Sequence, residues 1–172
     1  ILRTGAAPNE GKATTAVNLA VAMTQMGEKV LIIDGDLRRR NLHDLFDIHT
    51  DTGIIDVIID PGKLSESIIR MDEYPGLDIL PGGKQAPNPS ELLGSDRMKE
   101  FIARMREQYD RVIIDSPPLL AFSDPLVLSS LADGVILVVW GGKTAADLIQ
   151  KAIALFKGID AKILGVVLNK ID

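Results

Sequence analysis

Residues 6–15 read Ala6-Ala7-Pro8-Asn9-Glu10-Gly11-Lys12-Ala13-Thr14-Thr15, and they separate an apolar run from a helical pattern. A loop of this kind between a strand and a helix is typical of phosphate-binding P-loops, where backbone N–H groups, a helix N-terminus and one lysine surround the phosphates. Gly11 lets the backbone approach closely, and Lys12 is predicted to reach the terminal phosphates. A Gly-Lys pair that only starts a helix is the alternative, but carboxylates at later strand ends favour the P-loop.

Two residues of this loop depart from the usual pattern. Asn9 stands where comparable P-loops carry glycine, and asparagine is one of the few residues that tolerate a positive φ angle, so we expect the loop shape to survive. Ala13 stands where serine or threonine normally offers a hydroxyl to Mg²⁺. Thr14 lies about 100° farther round the helix and cannot simply take over. We therefore expect ATP to bind with a weakened Mg²⁺ site, in which water replaces the hydroxyl.

Two apolar strands end in carboxylates. The run Val30-Leu31-Ile32-Ile33 leads into Asp34-Gly35-Asp36, and Val112-Ile113-Ile114 leads into Asp115. Ligands of open parallel sheets sit at the carboxyl ends of strands, so these side chains are predicted to lie beside the P-loop. Asp36 and Asp115 are predicted to hold Mg²⁺, partly through water, and Asp34 to accept a proton from an attacking hydroxyl. The alternative for each single aspartate is a helix cap or a solvated strand end.

The predicted site has two groups of residues. The catalytic group is Lys12, Asp34, Asp36 and Asp115. The group predicted to bind the nucleotide is Pro8, Asn9, Glu10, Gly11, Lys12, Ala13, Thr14 and Asn169. Asn169 ends the last predicted strand, where its amide can either bond an adenine edge or cap the strand. Trp140 ends another strand near the same side, and packing is favoured over stacking on the base.

The chain alternates short apolar runs with longer helical patterns, which predicts an α/β fold with a mostly parallel sheet and helices on both faces. The predicted strands are residues 1–4, 29–33, 77–80, 111–114, 135–140 and 163–168. One predicted helix follows the P-loop and stops at Gly27 in a left-handed turn, and two others cover residues 90–106 and 144–157. The Pro/Gly-rich residues 81–89 form a loop that is either functional or a plain connection.

Composition and charge narrow the functional classes. The 172 residues are 46% hydrophobic and 25% charged, which suits one domain that spans residues 1–172. A net charge of -5 disfavours nucleic acid as a partner, and Arg38, Arg39 and Arg40 form the only dense basic cluster. The lack of cysteine excludes disulfides and thiolate metal sites and fits a reducing compartment such as the cytoplasm. No apolar run reaches membrane-spanning length.

The chain resembles the catalytic domain of the bacterial tyrosine kinases that regulate capsule and exopolysaccharide export. Five segments carry the resemblance: Pro8-Asn9-Glu10-Gly11-Lys12, Asp34-Gly35-Asp36-Leu37-Arg38-Arg39, Pro87-Asn88-Pro89-Ser90-Glu91-Leu92-Leu93, Asp115-Ser116-Pro117-Pro118 and Leu164-Gly165-Val166-Val167-Leu168-Asn169. The first, second and fourth look like the Walker A, A-prime and B motifs of that family.

The resemblance implies an autophosphorylating tyrosine kinase that uses ATP and Mg²⁺ and acts chiefly on tyrosines of its own C-terminal tail. It also implies a membrane activator segment or partner, which places the domain at the inner face of the plasma membrane, and a homo-oligomer assembled through an N-terminal helix. That tail and that helix are not found within residues 1–172, whose tyrosines are Tyr74 and Tyr109. We therefore expect the domain to belong to a longer protein.

Two other functions remain open at this point. ATPases of the partitioning and septum-site type share the fold and the strand-end aspartates, but they carry an extra lysine early in the P-loop, where this chain has Thr4-Gly5-Ala6-Ala7. The other alternative is a nucleotide-gated scaffold with weak turnover, because Ala13 removes a metal ligand. Arg38, Arg39 and Arg40 either grip an acceptor or a neighbouring subunit or form a solvated basic turn.

Overall fold

The computed structural model describes residues 1–39, 41–84 and 88–171, and its centre is a seven-stranded sheet. The strands are β1 (Leu2–Gly5), β2 (Val30–Asp34), β3 (Ile69–Arg70), β4 (Leu77–Leu80), β5 (Arg111–Asp115), β6 (Val135–Trp140) and β7 (Ile163–Asn169). Their order across the sheet is β3-β4-β2-β5-β1-β6-β7, and every pair is parallel except β3 with β4. This arrangement confirms the predicted mostly parallel sheet.

Helices connect the strands on both faces of the sheet. The α-helices in the described residues are α1 (Lys12–Gln25), α2 (Asn41–Phe46), α3 (Ile54–Ile59), α4 (Leu64–Ser67), α5 (Pro89–Leu93), α6 (Asp96–Gln108), α7 (Asp124–Ser129) and α8 (Ala146–Lys157), and a 3₁₀ helix covers Pro61–Lys63. Gly27 follows α1 with a φ angle of 86°, as predicted for a left-handed stop. The single helix predicted over residues 90–106 is wrong, because the chain turns at Gly94 and Ser95 caps α6 by accepting a bond from Met98 N.

The central strands are buried on both faces, which explains their continuous apolar sequences. Along β2, Val30 and Ile32 pack with Ala16 and Ala20 of α1, whereas Leu31 and Ile33 belong to the larger cluster on the other face. Full burial of one such side chain stabilises the fold by about 1.5–3 kcal/mol. Within the part of the chain that is described, no helix has both the length and the apolar character needed to cross a membrane.

The topology determines where a ligand can bind. β2, β5 and β1 are adjacent at the centre of the sheet and run in the same direction, so their carboxyl ends share one edge. The loop after β1 and the aspartates that end β2 and β5 therefore lie beside one another, as the sequence predicted.

Candidate nucleotide-binding site

The segment between β1 and α1 forms a tight loop that turns through two left-handed residues. Asn9 has a φ angle of 62° and Gly11 one of 79°. Asparagine thus adopts the positive φ angle that the sequence predicted it would tolerate. A side chain at position 11 would collide with the amide of Asn169, so the close approach of β7 to the loop requires glycine there.

Glu10 holds the loop together from within. Its side chain is buried, and its two carboxylate oxygens accept hydrogen bonds from Ala7 N at 2.9 Å and from the Thr144 hydroxyl at 2.8 Å. The Glu10 carbonyl accepts a third bond, from Asn169 Nδ2 at 2.9 Å. The Glu10 side chain therefore serves the shape of the loop. Its predicted part in nucleotide binding stays a prediction, and only its backbone N–H is suited to that part.

Lys12, the first residue of α1, is nearly buried and points back into the loop. Its Nζ donates a hydrogen bond to Ala7 O at 2.9 Å. Burial lowers the pKa of this ammonium, and the neighbouring carboxylates of Glu10 and Asp115 oppose that shift. The protein thus holds one positive charge inside the loop, where a bound phosphate can replace the carbonyl as its partner.

A cleft of about 340 Å³ opens beside this loop. Its wall includes six of the residues predicted to bind the nucleotide: Pro8, Asn9, Gly11, Lys12, Ala13 and Thr14. Asp36, Arg39 and Asn41 are also among its lining residues. A larger depression of about 840 Å³ lies at the amino ends of β2 and β5 and contains none of the predicted site residues. The predicted site residues therefore favour the smaller cleft as the nucleotide-binding site.

The two strand-end carboxylates Asp34 and Asp115 stand directly opposite each other in the register of β2 and β5. Burial raises the pKa of Asp34 well above its usual range, and the nearby Asp115 and Asp36 raise it further. Asp34 Oδ1 accepts a bond from Asp36 N at 3.1 Å, whereas its buried Oδ2 has no hydrogen-bond partner among the described residues. A desolvated carboxylate of this kind has the raised proton affinity that a general base needs.

Asp36 lies nearer the cleft and is better hydrogen-bonded. Its Oδ1 accepts a bond from Arg38 N at 3.3 Å and its Oδ2 accepts one from Asn41 Nδ2 at 3.1 Å. Burial raises its pKa, as does Asp115. Asn41, the first residue of α2, was not predicted from the sequence, because nothing local indicates that it folds back onto Asp36.

A buried arginine that the sequence did not predict as a site residue pairs with Asp115. Arg3 of β1 is completely buried, and its Nη2 donates a short hydrogen bond to Asp115 Oδ1. The same oxygen accepts a second bond, from Ser116 N at 2.9 Å. The available signal was a charged residue in the run Ile1-Leu2-Arg3-Thr4, but its partner lies 112 residues away in the sequence.

The residues at this edge do not fit Mg²⁺ in the way the sequence suggested. Position 13 supplies no oxygen, and one oxygen of Asp115 already binds a guanidinium and a backbone N–H. In residues 1–39, 41–84 and 88–171, no group of three or more His, Asp or Glu side chains is arranged to hold a metal ion. That Asp36 and Asp115 hold Mg²⁺ stays a prediction, and the contacts of Asp115 weigh against it.

Arg38, from the basic cluster, is partly buried and is bound to other side chains of the protein. Its Nε and Nη2 donate to the two carboxylate oxygens of the buried Asp124, at 2.9 and 3.3 Å, and its guanidinium lies 4.5 Å from the ring centroid of Phe122. Ser90 bonds the same carboxylate, so this arginine joins the segment after β2 to α5 and α7. Arg39 lines the cleft, and Arg40 lies outside the described residues.

Residues at the end of β7 hydrogen-bond to the backbone of the loop. Lys170 donates to Asn9 O at 2.9 Å, next to the bond between Asn169 and Glu10. The ammonium groups of Lys143 and Lys170 both contact the ring of Trp140, at 3.9 and 4.0 Å from its centroid. The amide of Asn169 thus supports the loop, and its predicted contact with adenine stays a prediction.

The comparisons with known proteins agree with this geometry. A family model described as an AAA domain matches residues 9–166. The tyrosine-protein kinase YwqD of Bacillus subtilis is 40% identical over 169 residues, which cover 98% of this chain and 71% of that protein. The tyrosine-protein kinase ptk of Acinetobacter johnsonii is 37% identical over 98% of this chain. The chain spans only 23% of that second relative.

The similarity in structure is just as extensive. The crystal structure of the VpsO kinase domain superposes with a TM-score of 0.94 and 37% identity, over 99% of this chain and 84% of that one. The septum-site protein MinD of Pyrococcus horikoshii, complexed with Mg-ADP, is more distant, with 26% identity and a TM-score of 0.78. The comparisons therefore favour the kinases over the septum-site ATPases.

Proposed function

Since the chain belongs to the bacterial tyrosine-kinase family, we propose that it is the catalytic domain of an exopolysaccharide-associated kinase that transfers the γ-phosphoryl group of ATP to tyrosine. One observation carries the proposal: the loop that leads to Lys12 follows β1, at the same edge of the sheet as the carboxyl ends of β2 and β5, where Asp34 and Asp115 are direct cross-strand neighbours. Positive charge for phosphate and a carboxylate of raised proton affinity thus share one edge of the sheet.

The chain's own residues divide the work of this reaction. The loop N–H groups and Lys12 bind the phosphates and stabilise the charge that grows on the leaving ADP. The tyrosine oxygen forms a bond to the γ-phosphorus while the bond from that phosphorus to the ADP oxygen breaks. The tyrosine proton passes to Asp34, whose raised pKa suits that acceptance.

Access to Asp34 sets a condition on this scheme. The carboxylate is almost completely buried, and the backbone of Gly82, at the start of the Pro/Gly-rich loop, lies against it. A tyrosine hydroxyl reaches Asp34 only when this cover moves away. The proposal therefore includes a functional role for residues 81–84, the described part of that loop, whereas residues 85–87 lie outside the described residues.

The wider assembly is also part of the proposal. The chain covers 23% of the Acinetobacter relative and 71% of the Bacillus relative. We propose that a membrane activator segment or partner holds the domain at the cytoplasmic face of the plasma membrane, that an N-terminal helix assembles a homo-oligomer, and that tyrosines of a C-terminal tail are the main acceptors. These parts rest on the family resemblance.

A second candidate function is a nucleotide-gated scaffold with weak turnover. Ala13 and the pairing of Asp115 with Arg3 both favour it, because each reduces the ligands available to a metal. A transfer assay separates the two functions. The domain is incubated with γ-labelled ATP and a Glu-Tyr copolymer, and phosphotyrosine is measured against the Lys12→Met variant as the blank. Label in tyrosine above that blank supports the kinase, whereas ATP binding without label supports the scaffold.

A further inference from the structure

The Arg3 guanidinium is an unusual group to find beneath a nucleotide-binding loop. Arg3 lies in β1, the strand that leads into the loop, and is completely buried. Its Nη2 pairs with Asp115, while Nε and Nη1 have no hydrogen-bond partner among the described residues. A buried charge is costly unless it is compensated, so the carboxylate of Asp115 is what retains this arginine in place.

The register of the sheet puts this pair where a divalent metal was expected. Arg3 is the direct partner of Asp115 across β1 and β5, and Asp115 is the direct partner of Asp34 across β5 and β2. The three side chains form one row along the edge that faces the loop. Its arginine carries a permanent charge, because a guanidinium does not lose its proton in proteins.

We propose that Arg3 takes the place of a divalent metal at Asp115, so that the site binds ADP and ATP as metal-free nucleotides. The proposal rests on the nucleotide binding of the proposed function and does not require phosphoryl transfer. Ala13 supports it independently, because a second metal ligand has been lost at the same edge. Lys12 and the loop N–H groups, which bind phosphate directly, are unaffected by both changes.

Arg3 and a divalent metal compete for the carboxylate of Asp115, and this competition weakens the binding of the metal. A divalent ion at Asp115 either shares the carboxylate with a guanidinium, which repels it, or displaces the guanidinium. Displacement leaves Arg3 buried and unpaired, because its other two nitrogens have no partner among the described residues that could replace Asp115. Breaking a buried ion pair in this way is strongly destabilising. The ion therefore gains little from a carboxylate that is already neutralised.

The test compares the affinity for ADP in excess MgCl₂ with the affinity in excess EDTA, by calorimetry, in four chains: the natural one, Ala13→Ser, Arg3→Met/Ala13→Ser and Arg3→Met/Asp115→Asn. We expect the natural chain to bind ADP within about threefold in the two conditions. Arg3→Met/Ala13→Ser should bind at least about tenfold more tightly with Mg²⁺, the range for regaining a partner to a charged group. Ala13→Ser alone should recover only part of that dependence.

The variant Arg3→Met/Asp115→Asn is the matched control. It removes both charges of the pair, and neutral replacement of a buried ion pair is often tolerated by the fold. We expect it to keep the natural ratio of affinities. If the natural chain depends on Mg²⁺ and this variant does not, Asp115 binds the metal beside Arg3 and the proposal is overturned. It is also overturned if Ala13→Ser alone equals Arg3→Met/Ala13→Ser.

Melting temperatures give a readout that needs no nucleotide. Mg²⁺ should raise the melting temperature of Arg3→Met, whose Asp115 lacks its partner, and leave that of the natural chain unchanged. If none of the folded chains binds ADP, the proposed function fails, and this shift still decides the inference about Arg3. Equal shifts in the two chains would show that Arg3 does not exclude the metal. If Arg3→Met does not fold even with Mg²⁺ present, the calorimetric comparison of the natural chain with Arg3→Met/Asp115→Asn tests the inference about Arg3.

Discussion

The phosphate loop and the row of strand-end carboxylates lie at the same edge of the sheet, but different kinds of contact hold them in shape. The loop depends on backbone N–H groups, on the positive φ angles of Asn9 and Gly11 and on one lysine. The row depends on individual side-chain atoms, and its Asp115 is already paired with Arg3. Backbone geometry survives the change from glycine to asparagine, whereas a metal site loses a ligand with each oxygen removed. Nucleotide binding and metal binding can therefore change separately in this fold.

The largest effect should come from the charge in the loop. We expect Lys12→Met to reduce ATP affinity about 100-fold or more, below calorimetric detection, because the variant loses the only loop side chain that donates charge-assisted bonds to phosphate. The fold should persist, which circular dichroism can check. Lys99→Met is the matched control, since Lys99 pairs with Asp96 on the surface of α6. Unchanged ATP affinity in a folded Lys12→Met variant would contradict the assignment of this loop as a P-loop.

The next effect tests the row of carboxylates. We expect Asp34→Asn to lower the rate of tyrosine phosphorylation about 100-fold or more, in the range for loss of a general base, while the ADP affinity changes little. The asparagine keeps the size of the side chain and removes its capacity to accept the proton. Transfer rate and ADP affinity are measured on the same preparation. Parallel losses of the two would make Asp34 a structural or binding group and would remove it from the role of base.

The third effect tests Glu10, whose side chain hydrogen-bonds within and beside the loop. Glu10→Gln replaces one of two acceptor oxygens with a donor, opposite either Ala7 N or the Thr144 hydroxyl. We expect ADP affinity to fall about threefold to tenfold, in the range for the net loss of one hydrogen bond. Thr144→Val removes the partner at one end, so the double variant completes a thermodynamic cycle. Strictly additive losses would show that the bond between the two residues does not shape the loop.

The sheet could be predicted from sequence because its strands are continuous apolar runs buried on both faces. β3 could not be, since its two residues are too few for a pattern. Helices α2, α3, α4 and α7 contain only four to six residues each, too short for a helical period, and tertiary contacts hold them in place. The single helix predicted over residues 90–106 failed because Ser95, a local capping residue, was read as part of the helix.

Some features of the candidate site could likewise be predicted from the sequence, and others could not. The position of the loop and of Asp34, Asp36 and Asp115 follows from their place after strands, which is local information in the sequence. The pairings of Arg3 with Asp115 and of Glu10 with Thr144 join residues 112 and 134 positions apart. No single-sequence pattern indicates such a pair, because its partners come together only when the sheet is assembled. The sequence therefore predicted which residues meet at this edge of the sheet. It did not predict that the charges of Arg3 and Asp115 neutralise each other there.

The smallest effect concerns stability and has the opposite sign to the loss of activity. Burial, followed by Asp115 and Asp36, raises the pKa of Asp34 above its usual value of 3.8. The folded chain therefore binds this proton more tightly than the unfolded chain does. The contribution of Asp34 to stability falls as pH rises from about 3.8 through the raised pKa, because the unfolded chain then loses its proton first. Above that window the folded protein contains a carboxylate with one unpartnered oxygen.

Asp34→Asn removes this penalty, so we expect the variant to unfold at a higher temperature at neutral pH. A buried polar atom without a hydrogen-bond partner costs about 1–3 kcal/mol, so the gain in the free energy of unfolding should be of that order. Below about pH 4 the gain should disappear, because the carboxyl group is protonated in both states. Asp36→Asn is the matched control, and its gain should be smaller because both Asp36 oxygens already accept hydrogen bonds. A gain for Asp34→Asn that persists unchanged into acid would mean that the asparagine stabilises by a new contact, and that the isolated charge of Asp34 has no cost in this fold.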